Sequence, residues 1–147
     1  MDTQTQATTQ SKGAPAVQLK TNRSVGKLIL LGIVTLCIYP LVLMCGISTD
    51  INIIASPYDG KKTMHFALVI FVLSGITLGI FPIIWMHKLF NRIGAESARR
   101  GINNGFSAKS FWIMGFLLSF TIVCPILFWH KFLTAMNEIS ADYNVNG

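Results

Sequence analysis

Three long stretches of this chain contain no Asp, Glu, Lys or Arg. They cover residues 28–49, 63–87 and 110–130, which are 22, 25 and 21 residues long. Helices of these lengths would reach about 31 to 38 Å, whereas the hydrocarbon core of a bilayer is about 30 Å thick. The chain is therefore predicted to be an all-α integral membrane protein with three transmembrane helices.

Composition and charge agree with a membrane protein. Only 12% of the 147 residues are charged, against about 25% in soluble domains. The net charge is +6, but the basic residues flank the apolar stretches instead of forming a run, so they indicate membrane flanks and not a nucleic-acid partner. Residues 1–23 are polar without an apolar period and are predicted to be a disordered tail, while residues 24–143 form the membrane domain.

A sequence motif recurs about every 42 residues, once in each apolar stretch. Its prolines are 42 and 43 residues apart, and Asn52 and Asn137 each follow their proline by twelve residues. This spacing predicts an internal repeat of three units. Proline removes a backbone donor, and a nearby threonine hydroxyl can satisfy a freed carbonyl, so a kink is expected in each helix. The residues of the kink motif are Thr35, Pro40, Thr77, Gly79, Pro82, Thr121 and Pro125.

The second unit carries the resemblance to a known family. Thr77, Gly79, Ile80 and Phe81, followed by Trp85, resemble the Thr-x-Gly-Ile-Tyr-x-x-x-Trp signature of domain of unknown function 4234, a small prokaryotic family of integral membrane proteins. The likeness extends over about residues 23–144. Phenylalanine replaces the tyrosine here, the first unit has cysteine in place of the glycine, and the third unit has lost both. The resemblance implies a membrane location and brings no established activity.

Two topologies fit the charge distribution. With three spans, nine Lys and Arg residues lie on the side of the N-terminus and three on the other, so the positive-inside rule predicts a multi-pass protein of the cell membrane with a cytoplasmic N-terminus. Three spans would, however, place the matching pairs His87-Lys88 and His130-Lys131 on opposite faces. Re-entrant hairpins remove that conflict, although their arms of about 11 to 14 residues are too short to cross. Three spans are favoured.

Small, aromatic and basic residues are assigned to contacts with other helices and with lipid. Pairs of small residues one helical turn apart predict close helix packing, and tryptophans near span ends predict interface anchors. A basic helical segment after the second span is expected either to lie on anionic lipid or to be a solvated loop helix. The packing residues are Gly75, Gly79, Gly115 and Ser119, the anchors are Trp85, Trp112 and Trp129, and the lipid-facing basic residues are Lys88, Arg92, Arg99 and Arg100.

The sequence offers no constellation suited to catalysis. All six acidic residues lie outside the apolar stretches, and His65, His87 and His130 would be divided between two membrane faces. No catalytic, metal or cofactor site is therefore predicted. The preferred hypothesis is a non-enzymatic scaffold or accessory protein that contacts membrane lipids and either a second copy or another membrane protein. The alternative is a homo-oligomeric channel or transporter component, against which the lack of intramembrane charge weighs.

Overall fold

The computed structural model describes Pro15, residues 17–118 and residues 120–147, and this part of the chain is helical without strands. The predicted all-α class is confirmed. The predicted disordered tail lies outside the described residues for positions 1–14 and 16, as does Ser119. The helices are α1 Val25–Val34, α2 Ile38–Asp59, α3 Phe66–Ile76, α4 Ile80–Arg99, α5 (residues 108–117) and α6 Val123–Asn146, with π-helical turns at Val69–Leu73 in α3 and Phe111–Leu117 in α5.

Each apolar stretch contains a chain reversal where a kink was predicted. The rings of Phe66 and Trp85 lie 5.1 Å apart. The two residues are 19 positions apart in the sequence, so a continuous helix would place them about 28 Å from each other. A Cβ atom placed on Gly115 would lie 3.5 Å from the ring of Phe128. The prediction of one kinked helix per stretch is thus corrected, because a short helix packs back against a long one in each unit.

The three long helices α2, α4 and α6 run in the same direction. Their C-terminal ends meet, since Arg100 donates to Asp142 at 2.5 Å and the guanidinium of Arg99 lies 3.6 Å from the centre of the Tyr58 ring. The Tyr58 hydroxyl in turn donates to the Gly147 carbonyl at 3.4 Å. All three hairpin turns therefore lie at one end of the molecule, called here the tips, and the helix C-termini lie at the other end, called the base.

The hydrophobic core occupies the base half of the bundle. Phe90 of α4 is its centre, and its ring lies within 5.0 to 5.6 Å of four other phenylalanine rings, those of Phe106, Phe111, Phe128 and Phe132. Isoleucine and leucine side chains of all three long helices complete the core, among them Ile47, Ile51, Ile54, Leu89, Ile93, Leu133 and Ile139. The tips lack such a core.

Among the residues that the structure describes, one helix, α2, is long and apolar enough to cross a membrane, and α1 and α3 are shorter apolar helices. Length and composition of a single helix are a weak indication of membrane association. The segment before α1 has no regular secondary structure over residues 17–23, but Leu19 and Arg23 are buried and their backbones are hydrogen-bonded to side chains of α6.

Candidate functional site

The tips of the three hairpins carry exposed apolar side chains. Leu36 is 87% exposed, Leu78 92% and Phe120 97%, and each lies in the turn of a different hairpin. Large apolar side chains are seldom left this open in a soluble domain, and contiguous apolar patches usually mark an interaction surface. We call these residues, together with the neighbouring exposed side chains of Ile33, Val34, Ile76, Ile80 and Ile122, the tip surface.

The first two tips are built by the same hydrogen bonds, shifted by 42 residues. The Thr35 hydroxyl donates to the Leu31 carbonyl at 2.5 Å and accepts from the Tyr39 amide at 2.9 Å. The Thr77 hydroxyl makes the equivalent bonds to Leu73 at 2.6 Å and from Phe81 at 3.1 Å. Each threonine thus adds a second donor to a carbonyl that its own amide already bonds, and it satisfies one amide at the start of a long helix, where helices leave such groups unpaired.

A residue in the left-handed backbone region completes each of these two turns. Gly79 has a φ of 84°, and Cys37 takes the same position in the first hairpin with a φ of 68°. The left-handed region costs an L-residue about 1–2 kcal/mol, whereas glycine adopts it freely. In the third hairpin, Leu118 has the backbone angles of Thr35 and Thr77, and Thr121 lies three residues later.

The prolines of the kink motif lie inside the first turn of the long helices. Pro40, Pro82 and Pro125 are each the third residue of their helix. An amide at that position has no partner within the helix, so proline is tolerated there without loss of a hydrogen bond. These prolines therefore begin a helix after the chain reversal, and they do not kink a helix that continues through them.

Asparagine side chains of the long helices hold the segments that lead into the hairpins. Asn52 of α2 accepts from the Thr63 amide at 2.6 Å and donates to the Thr63 carbonyl at 2.7 Å. Asn137 of α6 makes the same pair of bonds with the backbone of Arg23, at 3.1 and 2.7 Å. Sequence reasoning noticed the matching positions of the two asparagines but assigned them no role.

Arg92 is the most connected side chain at the base. Only 9% of its side chain is exposed, and it pairs with both carboxylate oxygens of Asp59 at 2.8 and 3.0 Å. The hydrogen bond from Arg92 holds the pKa of Asp59 below its usual range. Its other acceptors are Asn52, Ser56, Lys61 and Thr63, so it ties α4 to the end of α2 and to the α2–α3 loop.

The other base arginines also lie between helices. Arg100, whose side chain is 3% exposed, joins Glu96 at 2.7 Å to Asp142 at 2.5 Å. Arg99 pairs with the same glutamate and is 39% exposed. Arg92 and Arg100 therefore do not face lipid as predicted, because their nearly buried guanidinium groups pair with carboxylates between the helices. Lys88 alone of the four is exposed without such a partner among the described residues.

The remaining predicted contact residues have mixed environments. A Cβ atom at Gly75 or Gly79 would meet nothing within 4 Å, so these glycines pack against no helix in the described part of the chain, whereas Gly115 lies against Phe128. Trp85 is buried and donates to the Met64 carbonyl at 2.9 Å. Trp112 is 41% exposed with its indole bonded to His87 at 3.0 Å, and Trp129 is half-buried.

A groove of about 600 Å³ lies between α4 and the segment before α3. Its walls include Phe81, Trp85 and Lys88, which follow one another at helical spacing along a single face of α4. A second groove of about 550 Å³ lies beside α2 and includes Tyr39, Leu43 and Gly46, at the same positions 42 residues earlier. Sequence analysis did not identify either groove, because both depend on the chain reversal.

Potential metal ligands are scattered among the described residues, where no group of three or more His, Cys, Asp or Glu side chains could hold an ion. The three cysteines are unpaired.

Comparison with known proteins identifies the first two hairpins. The family model of a domain of unknown function, DUF4234, matches residues 23–95. This part of the chain is a DUF4234 domain. The DUF4234 match contains both of the threonine-closed turns and ends within α4, so the third hairpin, with its different turn, lies beyond it. No curated protein and no solved structure matches the chain.

Proposed function

We propose that the chain is a membrane protein whose three hairpins insert tips first into one leaflet, from the cytoplasmic face. The observation that carries this proposal is the tip surface, in which apolar turns of three separate hairpins lie exposed at the same end of the molecule. Water is an unfavourable environment for such a surface, and a leaflet interior is its natural complement.

The depth of each hairpin supports insertion into a single leaflet. Leu78 at the second tip precedes Lys88, the first charged residue of α4, by ten residues, which is about 15 Å along a helix. The hydrocarbon core is about 30 Å thick, so this arm reaches about its middle. Five exposed lysines flank the apolar arms of the hairpins at the level where headgroups would lie: Lys27, Lys62, Lys88, Lys109 and Lys131.

This topology accounts for the positions that conflict with three spans. In the hairpin arrangement, His87-Lys88 and His130-Lys131 lie on the same face, and all basic residues are cytoplasmic as the positive-inside rule requires. The three-span alternative would need each apolar stretch to unfold its hairpin and give up contacts such as the Phe66–Trp85 ring pair.

Labelling of single cysteines in intact cells tests the topology. In a background without Cys37, Cys45 and Cys124, exposed positions at the base are replaced one at a time, as Lys61→Cys, Asn103→Cys and Val145→Cys. We expect an impermeant thiol reagent to label none of them until the cells are lysed. Labelling of positions 61 and 145 in intact cells, with position 103 protected, would establish three spans and overturn the proposal.

The base supports a non-enzymatic role as a scaffold or accessory protein. The Arg92–Asp59 and Arg100–Asp142 ion pairs join helices at the base. The open faces of Gly75 and Gly79 are available to a second copy or to another membrane protein. Hairpins that stop at mid-membrane cannot by themselves line a pore, which weighs against the channel alternative. Vesicles containing the purified protein should therefore show ion flux no higher than empty vesicles.

A further inference from the structure

We propose that the groove beside α4 binds one anionic phospholipid, with the phosphate at Lys62 and Lys88 and an acyl chain along Trp85 and Phe81. The inference rests on the proposed membrane insertion and names the ligand of a particular site on that surface.

The polarity of the groove changes along its length. Phe81, Trp85 and Lys88 lie on one face of α4, with Phe81 about 10 Å nearer the tip than Lys88. Met64 adds to the apolar wall, and its carbonyl is occupied by the Trp85 indole. The tip half of the groove is therefore apolar, and the base half is lined by charged side chains. A phospholipid has the same order of groups, with its apolar acyl chains deeper in the membrane than its charged phosphate.

The charge of the groove favours an anion. Lys61, Lys62, Lys88 and Arg92 line it, against the single carboxylate of Asp59. Arg92 holds both oxygens of that carboxylate. The three lysines form no ion pair with any residue that the structure describes, so their charges remain available to a ligand. Lysine ammonium groups at a membrane surface attract anionic headgroups, and each is worth about fivefold in binding.

The equivalent groove beside α2 is less suited to an anion. It has Gly46 at the position of Lys88 and Asp50 at the position of Arg92. It is also lined by Lys20, at the position of Lys62, by Lys27 and by Arg23, which pairs with Asp50. Two unpaired lysines therefore remain in this groove, against three in the α4 groove. The two grooves thus differ by one unpaired lysine and by the charge on the helix wall, and both differences favour the α4 groove for an anion.

Quenching of Trp85 by brominated lipid tests the site. In a W112F/W129F variant, Trp85 is the only tryptophan and lies in the groove wall. The protein is reconstituted in phosphatidylcholine vesicles that contain, at equal mole fraction, either brominated phosphatidylglycerol or brominated phosphatidylcholine. We expect a preference for the anionic lipid that falls about 25-fold in K62A/K88A, at about fivefold per lysine. K62R/K88R should retain the preference, and K109A/K131A, which removes two exposed lysines outside the groove, should leave it unchanged.

Three outcomes would overturn the assignment. Equal quenching by the two lipids would exclude an anion-selective site, and an equal loss in K109A/K131A would show only a general surface charge effect. Complete relief of the selective quenching by soluble glycerol phosphate would assign the groove to a soluble phosphate compound. Flotation with pure phosphatidylcholine vesicles separates this test from the proposed function: protein that floats without lipid selectivity retains the membrane role, whereas protein that does not float refutes both.

Discussion

Asn52 and Asn137 each lie twelve residues after the proline of their unit, and each holds the backbone of a lead-in segment with the same two hydrogen bonds. Asn52 of α2 holds the segment before the second hairpin, and Asn137 of α6 holds the segment before the first. The corresponding position in the second unit is Gly94, which lies against Phe106 and Ser107, just before the third hairpin. The three contacts close the hairpins into a ring.

Loss of one asparagine contact should destabilise the ring. Asn137→Ala leaves the amide and carbonyl of Arg23 without their partner, and unpaired buried backbone groups cost about 1–3 kcal/mol. We expect a loss of that size in chemical unfolding of the purified protein in detergent. Asn103→Ala is the matched control, since that side chain is exposed; an equal loss in both variants would show that the contact contributes nothing specific.

Gly94 should not tolerate even a methyl group. A Cβ atom there would lie 2.7 Å from the Phe106 carbonyl oxygen and 3.1 Å from the Cα atom of Ser107. Because both are backbone atoms, the lead-in segment must move, and overpacking of this kind costs about 1–3 kcal/mol. Gly46→Ala, where a Cβ atom meets nothing within 4 Å, should be neutral or slightly stabilising. Equal unfolding midpoints for the two variants would contradict this account.

The left-handed turns predict opposite effects of two substitutions. Cys37→Gly relieves a positive φ and should stabilise the first hairpin, while Gly79→Ala imposes the same strain on the second and should destabilise it, each by about 1 kcal/mol. Both positions are open, as no atom lies within 4 Å of a Cβ at Gly79 and Cys37 is exposed. Shifts of the same sign in thermal unfolding would show that backbone strain is not the cause.

Arg92 should contribute more to stability than any exposed cation. Arg92→Ala removes a nearly buried guanidinium and its hydrogen bonds to Asp59, Ser56 and Thr63, with an expected loss of about 1–3 kcal/mol. Lys88→Ala on the same helix should change the unfolding free energy by less than about 0.5 kcal/mol, because Lys88 is exposed. A comparable loss in both variants would argue that Arg92 acts only through net charge.

Acid should weaken the contact between α4 and α6. Partial burial alone would raise the pKa of Asp142, but hydrogen bonds from Arg100 and Asn146 outweigh that effect, so its pKa in the folded protein is lowered. A lowered folded-state pKa gives stability that is present above the unfolded-state pKa, near pH 4, and is lost as the pH falls through the folded-state value. Wild type should exceed D142N in melting temperature at pH 6, by a margin that shrinks below about pH 4. A margin independent of pH would contradict the assignment.

The helical class, the positions of the three apolar stretches and the places where each is interrupted can be predicted from the order of the amino acids. These follow from local chemistry: runs without charge, a threonine and a proline at fixed spacing, and a glycine at one turn. The equivalent positions of Asn52 and Asn137 were also visible, although their partners were not.

The path of the chain at the interruptions depends on long-range packing. A proline in the sequence is compatible with a kink in one helix and with the first turn of a new helix. The angle between the two helical segments depends on packing such as that of Phe66 on Trp85. The same holds for Arg92 and Arg100, whose sequence spacing on one helix predicted an exposed basic face. Their carboxylate partners Asp59 and Asp142 are distant in sequence and come within reach only when the hairpins run parallel, because an ion pair is set by distance in space.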